Sequence, residues 1–332
     1  MPRVSVIIPA YNVERYIDAS MQSVLQQTHS DFELIVIDDG STDGTAARAA
    51  CHLDPRVRVV TQANRGLVGA RNGGIRAARG ELLAFLDADD LWQPTKLARH
   101  VAHLDARPQV GVSYCASAFI DDDAVPLGYY QRPQLLDVQP RDVFLRNPVG
   151  NGSAPVIRAA ALRQIAFVGA DALIEYFDES FRQSEDIECW LRIALTTNWT
   201  FEGLAEPLTL YRVNPGGLSA NLERQLESWE RVVAKTAIYA PDFVHRWAPR
   251  ARAFQLRYLA RRAVRQGAAT TALRLCLRAL ACDPAIAWQE PARTGSTLVA
   301  ALMRAGLPQG LYSGLERAAM SLSGALGPRL PA

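Results

Sequence analysis

The chain has 332 residues, 49% of them hydrophobic, and a net charge of +2, which describes a globular protein with ample material for a large core. No apolar run approaches the length of a bilayer crossing, so a membrane-spanning segment is excluded. Five widely spaced cysteines without a CxxC pair exclude a disulfide framework and predict free thiols in a reducing cytoplasm.

Met1-Pro2-Arg3 leads directly into Val4 to Pro9, so no secretory leader is expected, and that stretch reads as a first buried strand. A polar turn at Ala10, Tyr11 and Asn12 follows, with Asn12 placed as N-cap of a helix to about Gln26. Phe32 to Ile37 is a second strand, ending in Asp38-Asp39-Gly40-Ser41-Thr42-Asp43. Val57 to Val60 is a short third strand, and Gly66 to Arg79 a helix carrying Arg71 and Asn72. Ala84 to Leu86 reads as a buried strand that stops at Asp87-Ala88-Asp89-Asp90. Pro94 suits the first turn of a helix to about Asp105, on which His100 and His103 read as solvated side chains. Val110 to Ala116 is a further strand.

This alternation predicts an α/β fold built on a mixed, largely parallel sheet with helices on both faces. In such sheets ligands collect beyond the carboxyl ends of the strands, where Pro9-Ala10-Tyr11, Asp38-Asp39 and Asp87-Asp89 all lie. From 121 to 183 the pattern weakens, and Asn147 to Ser153 is rich in turn formers of the kind that line a cleft. Ser184 is placed as the cap of a helix through Ile193 with Trp190 on its apolar face, after which Trp199 to Leu204 and Leu208 to Tyr211 return to the sheet.

Beyond about Asn221 the pattern is helical throughout, so residues 1–224 are expected to form the α/β domain and 225–332 a helical extension. The first part carries 21 Lys and Arg against 28 Asp and Glu, the second 15 against 6. That asymmetry predicts an anionic partner for the tail, with no nucleic acid expected. Leu256 to Arg265, Gly267 and Ala272 to Ala281 resemble one tetratricopeptide-like hairpin. Gly295 to Leu307 and Leu311 to Leu326 are amphipathic, either packed on a neighbour or in peripheral contact with an anionic membrane.

The acidic run after Leu86 carries the chemistry. Burying Asp87, Asp89 and Asp90 together would be costly, so they belong at a rim, where Asp87 and Asp89 point the same way and Ala88 permits close approach. A hard divalent ion, Mg²⁺ or Mn²⁺, takes one or two such carboxylates and completes its shell with water and phosphate. The plainer alternative is an acidic loop that caps the next helix, a role that suits Asp90.

With these pieces in order, over roughly residues 4–220, the chain resembles the family 2 glycosyltransferases of GT-A fold. The resemblance rests on Val4 to Asn12, Ile37-Asp38-Asp39-Gly40-Ser41-Thr42-Asp43, Phe85 to Asp90, and Ser184-Glu185-Asp186 with Trp190-Leu191-Arg192. It implies a nucleotide-diphosphate sugar donor, UDP-linked before other bases, a divalent metal, and inversion at the anomeric carbon. By position, Pro9, Ala10, Tyr11 and Asp39 would hold the nucleoside, with Asp38 as a turn residue. Asp87 and Ala88 would approach the donor, Asp89 would coordinate the ion with Asp87, and Arg71 would meet phosphate or form a salt bridge. Asp186 would be the catalytic base, its alternative being a first-turn acid favoured by the helix dipole. Asn151, Glu185 and Trp190 are placed on the acceptor side, the acceptor being a glycan or lipid-linked hydroxyl at the inner face of a bacterial membrane.

Two departures from the family pattern stand out. No Gln-x-x-Arg-Trp string follows Asp186, which predicts one transfer per encounter rather than chain synthesis, and Asn214 stands where a metal-proximal histidine is common. Two other readings compete. A sugar nucleotidyltransferase lacks its Gly-rich phosphate loop here, where Pro9-Ala10-Tyr11-Asn12 stands instead. A catalytically weak scaffold whose tail recruits partners would not need both Asp89 and Asp186.

Overall fold

The computed structural model describes residues 1–213 and 221–306. Asn214 and the amphipathic stretch from Leu311 to Leu326 lie outside the described residues. The first half alternates β1 (Val4–Ala10), α1 (Ile17–Leu25), β2 (Phe32–Asp38), α2 (Thr45–Ala50), β3 (Val57–Thr61), α3 (Gly66–Ala77) and β4 (Leu82–Phe85). Then come β5 (Leu91–Trp92), α4 (Lys96–Ala106), β6 (Val110–Ile120), β7 (Pro126–Gln131), α5 (Pro140–Arg146), β8 (Val156–Arg158) and α6 (Ala159–Gln164). A small hairpin, β9 (Phe167–Val168) with β10 (Ile174–Glu175), precedes α7 (Glu185–Thr196) and β11 (Thr200–Arg212).

Every residue of β1 and β2 is buried, as expected of mainly apolar strands covered on both faces, and the polar pair Ser5 and Glu33 is joined by a hydrogen bond of 2.7 Å. β1 runs parallel to β2 and β4, and β2 parallel to β3, so the carboxyl ends of these strands share one edge. The nine-stranded sheet has the order β3-β2-β1-β4-β8-β6-β11-β5, with β7 alongside β6. β8 is antiparallel to both β4 and β6, and this reversal makes the sheet mixed. The two short strands expected after Trp199 are one strand, β11, whose register shifts around Pro207, a residue that cannot donate to the ladder.

Two local expectations are corrected. Asn12 is not a helix cap: it adopts a left-handed φ of 52° and α1 begins only at Ile17. Its side-chain oxygen instead accepts the Thr42 backbone N–H at 2.8 Å, clasping the turn after β1 to the loop after β2. His100 is not solvated either. It lies on the same α4 face as Leu97 and Leu104, is fully buried, and its Nδ1 lies 2.7 Å from Ser113 Oγ on β6. His103, partly buried, lies 2.8 Å from the same hydroxyl and 3.2 Å from Glu202.

The chain divides into two compact units. The first holds the sheet and takes Ser228–Ala240, most of α8 (Leu222–Tyr239), so a boundary at 224 falls inside a helix. Within this unit Trp229 is 1% exposed and stacks on Phe144, and Lys235 Nζ lies 2.8 Å from buried Glu188. The second unit contains α9 (Pro241–Arg265), α10 (Ala269–Cys282), α11 (Ile286–Gln289) and α12 (Pro291–Gly306). The expected hairpin forms here from α9 and α10, turning at Gly267, whose φ of 78° favours glycine, around Leu256, Leu259, Leu275 and Ala279. Among the described residues no helix is long and apolar enough to cross a membrane.

Candidate active site

The end of β2 is tied to the end of β1 by the Asp39 N–H donating to the Ala10 carbonyl at 2.8 Å. Asp38, the last residue of β2, holds the turn that follows, its Oδ1 accepting the Ser41 N–H. Asp39 is 2% exposed. Its Oδ1 accepts Gln62 Nε2 at 2.7 Å and the Arg65 N–H at 2.9 Å, and its Oδ2 accepts the Gly66 N–H at 2.8 Å. The carboxylate therefore caps the start of α3, where Gly66 has a φ of 76°. A carboxylate offers about four acceptor positions, so these three bonds leave room for one more donor. Pro9 and Ala10 are buried at the end of β1, and Tyr11 beyond them is 49% exposed.

After β4 the chain turns so that Asp87 and Asp89 keep partial exposure while Ala88 and Asp90 are buried. Asp90 is structural: it accepts Ser153 Oγ at 2.5 Å and the Arg212 N–H at 2.8 Å. Burial, with Asp89 and then Asp87 close by, pushes its carboxyl well above the ordinary range. Arg212 also donates from Nε to the Asp89 carbonyl and from Nη1 to the carbonyls of Asp121 and Asp122, pinning the turn from the far side. Among the described residues no group of three or more His, Cys, Asp and Glu side chains forms a ready metal cage. Two partly exposed carboxylates, Asp87 and Asp89, are of the donor type that suits Mg²⁺ or Mn²⁺, which complete their shell with water and substrate oxygens.

α3 carries Arg71 into the interior, 3% exposed, between two acids from distant parts of the chain. Nη2 donates to Asp87 Oδ1 and Nη1 to Glu185 Oε1, each at 2.7 Å. Burial works against the guanidinium charge, but Asp87 and then Glu185 outweigh it and hold the pKa above the ordinary value. The salt bridge considered for Arg71 is formed, to both acids at once. Gly152 packs on this pair so closely that a Cβ there would lie 2.2 Å from Arg71 Nη2 and 2.9 Å from Asp87 Oδ2.

Asp186 stands beside Glu185 in the first turn of α7, following Ser184 at a φ of 60°. Its Oδ2 accepts Asn147 Nδ2 at 2.9 Å and its Oδ1 the Ile187 N–H at 2.8 Å. Desolvation, reinforced by the Glu185 carboxylate, pushes its pKa up to about 7, against the pull of the Ile187 N–H, Arg71 and Asn147. A carboxyl poised there is half ionised near neutrality, the condition a general base needs.

Arg71, Asp87 and Glu185 are thus joined in one bonded cluster, with Asp186 next to Glu185 in the chain, Asp89 two residues from Asp87, and Asp39 at the start of the helix that carries Arg71. Asn151 is occupied in holding its loop, through Ser117 Oγ at 2.8 Å and the Ser153 N–H at 3.1 Å. Trp190 does not face an acceptor: it is 2% exposed and packs edge-on against Phe177, which is edge-on to Phe85, behind the cluster. The supporting residues that sequence reasoning missed are Gln62, Asn147, Ser153 and Arg212. The only signal was the turn-rich composition around Asn147 to Ser153.

A parallel β-α-β half that reverses through β8, with its polar groups gathered at the strand ends, is the GT-A fold, and the protein is a transferase of that class. It belongs to glycosyltransferase family 2: the model of that family, Glycosyl transferase family 2, matches residues 5–164. TuaG of Bacillus subtilis strain 168, a putative teichuronic acid biosynthesis glycosyltransferase, is 31% identical over 66% of this chain and 82% of its own. WfaP of Escherichia coli, a UDP-Glc:alpha-D-GlcNAc-diphosphoundecaprenol beta-1,3-glucosyltransferase, is 30% identical over 72% of this chain and 89% of its own. The solved structure of the mannosyltransferase PcManGT from Pyrobaculum calidifontis, in complex with GDP-Man and Mn²⁺, is similar with a TM-score of 0.56. It is 25% identical and covers 92% of this chain and 86% of that one.

Proposed function

We propose that this transferase moves one sugar from a nucleotide-diphosphate donor to a hydroxyl of a glycan or lipid-linked acceptor, with inversion, in the synthesis of a bacterial surface polysaccharide. A UDP-sugar is the favoured donor, in keeping with WfaP, and TuaG supports the polysaccharide setting. The observation that carries the mechanism is a carboxyl, Asp186, held at about pKa 7 and standing next to Glu185, which the Arg71 guanidinium ties to the donor-side acid Asp87. Asp186 takes the proton from the acceptor hydroxyl as it attacks, a role worth about 10²- to 10⁴-fold in rate. Asp39 keeps one acceptor position for an N–H edge of the base, and Tyr11 stands exposed beside it. Asp87 and Asp89 would hold Mn²⁺ or Mg²⁺, which supplies positive charge to the departing diphosphate. Arg71 keeps Asp87 and Glu185 in register, so that the two halves of the site close on the same substrate.

The reaction is placed on the cytoplasmic side, and the second unit is read as a peripheral contact with anionic membrane. Its support is the basic excess of residues 225–332 and the exposure of Trp288 and Leu277. Sugar-nucleotide turnover with and without Mn²⁺ tests the core of the reading. Asp89→Ala is expected to lose both transfer and the stimulation by metal, and Mn²⁺-stimulated turnover equal to wild type in that variant would refute the donor-site assignment.

A further inference from the structure

The chain has 36 lysines and arginines, and only Lys96 and Lys235 are lysines. A lysine brings a compact ammonium with three donors where an arginine would bring a wider, planar fork. Lys96 is fully buried, beneath the donor-side turn. Its Nζ donates to the Ala154 carbonyl at 2.8 Å and to Thr209 Oγ1 and Cys115 Sγ at 3.2 Å each, with His100 Nε2 at 3.5 Å and the Trp92 ring 5.0 Å away. An ammonium has three protons to give, and this cage takes all of them.

The segment it grips is the one that shapes the site. The neighbouring Ser153 carbonyl accepts from Trp92 Nε1 at 3.0 Å and from Thr209 Oγ1 at 3.2 Å. The Ser153 hydroxyl donates to Asp90 and accepts the Asp87 N–H at 3.0 Å, and Gly152 lies against the Arg71–Asp87 pair. We propose that Lys96 is a positioning residue for the donor site: by clamping the Ala154 carbonyl and Thr209 it sets Ser153, and through Ser153 the direction in which Asp87 and Asp89 present their carboxylates. This rests on the donor-site reading above. A merely structural lysine would stabilise the fold without changing what the carboxylates bind.

The experiment titrates UDP, and separately GDP, in MnCl₂ into the full-length protein by calorimetry. It compares wild type with Lys96→Met, Thr209→Val and, as a control from the far end of the same helix, Leu104→Ala. Leu104 is fully buried and outside this network, so its truncation destabilises the fold without touching Ser153. Lys96→Met is expected to weaken Mn²⁺–nucleotide binding about 10- to 100-fold, the range for losing an outer support of a metal site. Thr209→Val, which keeps the lysine and the side-chain shape, is expected to weaken it by several-fold, and Leu104→Ala to leave it unchanged. Wild-type affinity in Thr209→Val and in any folded Lys96→Met, or an equal loss in Leu104→Ala, overturns the proposal. A wild-type protein that binds neither nucleotide overturns the donor-site reading and this inference with it.

Discussion

Replacing Asp186 by asparagine removes a charge from a place that resists it, and the structure sets the size of the effect. The pKa rises from an ordinary 3.8 to about 7, roughly three units, each worth about 1.4 kcal/mol. Between those values the folded protein keeps a proton that the unfolded chain gives up. The stabilising contribution is complete below about pH 4 and is lost as pH rises through about 7, a swing of at most about 4 kcal/mol. Asparagine never ionises. Asp186→Asn is therefore expected to match wild type in urea melts near pH 4 and to exceed it by up to about 4 kcal/mol at pH 8, while transfer falls by about 10²- to 10⁴-fold. Asp90 and Glu175, also raised, slope the same way in both proteins, so the difference between the two curves isolates Asp186. A gap that does not widen with pH, or a variant less stable at pH 8, would refute the reasoning. In the wild type, kcat/KM should climb with pH and level off above about 7.

Two further outcomes are expected. Arg71→Met strands two acids that share one guanidinium and should cost about 3 to 5 kcal/mol in a denaturant melt; Arg71→Lys should recover only part of this, because one ammonium cannot span Asp87 and Glu185 as the fork does. Full-length protein should sediment with anionic vesicles in a salt-sensitive way and residues 1–240, the cut that leaves α8 whole, should not; equal binding by both removes the membrane role.

The donor half of the protein was legible because its signals are local. Apolar runs ending in acids place Asp39 and Asp87 at strand ends from the chain alone, and parallel pairing puts those ends together. What was not legible depends on distance in sequence. Nothing near Asn147 announces that its amide will meet Asp186, 39 positions later, or that the Ser153 hydroxyl will hold a backbone N–H of Asp87. Arg71 is placed by its position on α3, but its second partner, Glu185, lies 114 residues away and only the packed fold supplies it. His100 misled because a polar residue on a mostly polar helix reads as solvent-facing, whereas Ser113 on β6 offers it a buried partner. The resemblance assigns Asp39 to a base contact; the structure adds that its carboxylate already accepts from Gln62 and from the Arg65 and Gly66 N–H groups at the start of α3.

The want of a side chain at position 152 has a bearing on how this enzyme could change its substrates. Any methyl group there would wedge the guanidinium away from Asp87, so the stretch joining Asn147 to Ser153 is a keystone, fixed at each end and in the middle. Under the proposed function, variation in acceptor choice is then drawn from segments outside 147–153. The ribbon formed by β6 and β7, with exposed Val125, Leu127 and Tyr130 and with Tyr129 packed on Phe119, is one such segment, and changes in it leave the Gly152 contact with Arg71 and Asp87 untouched.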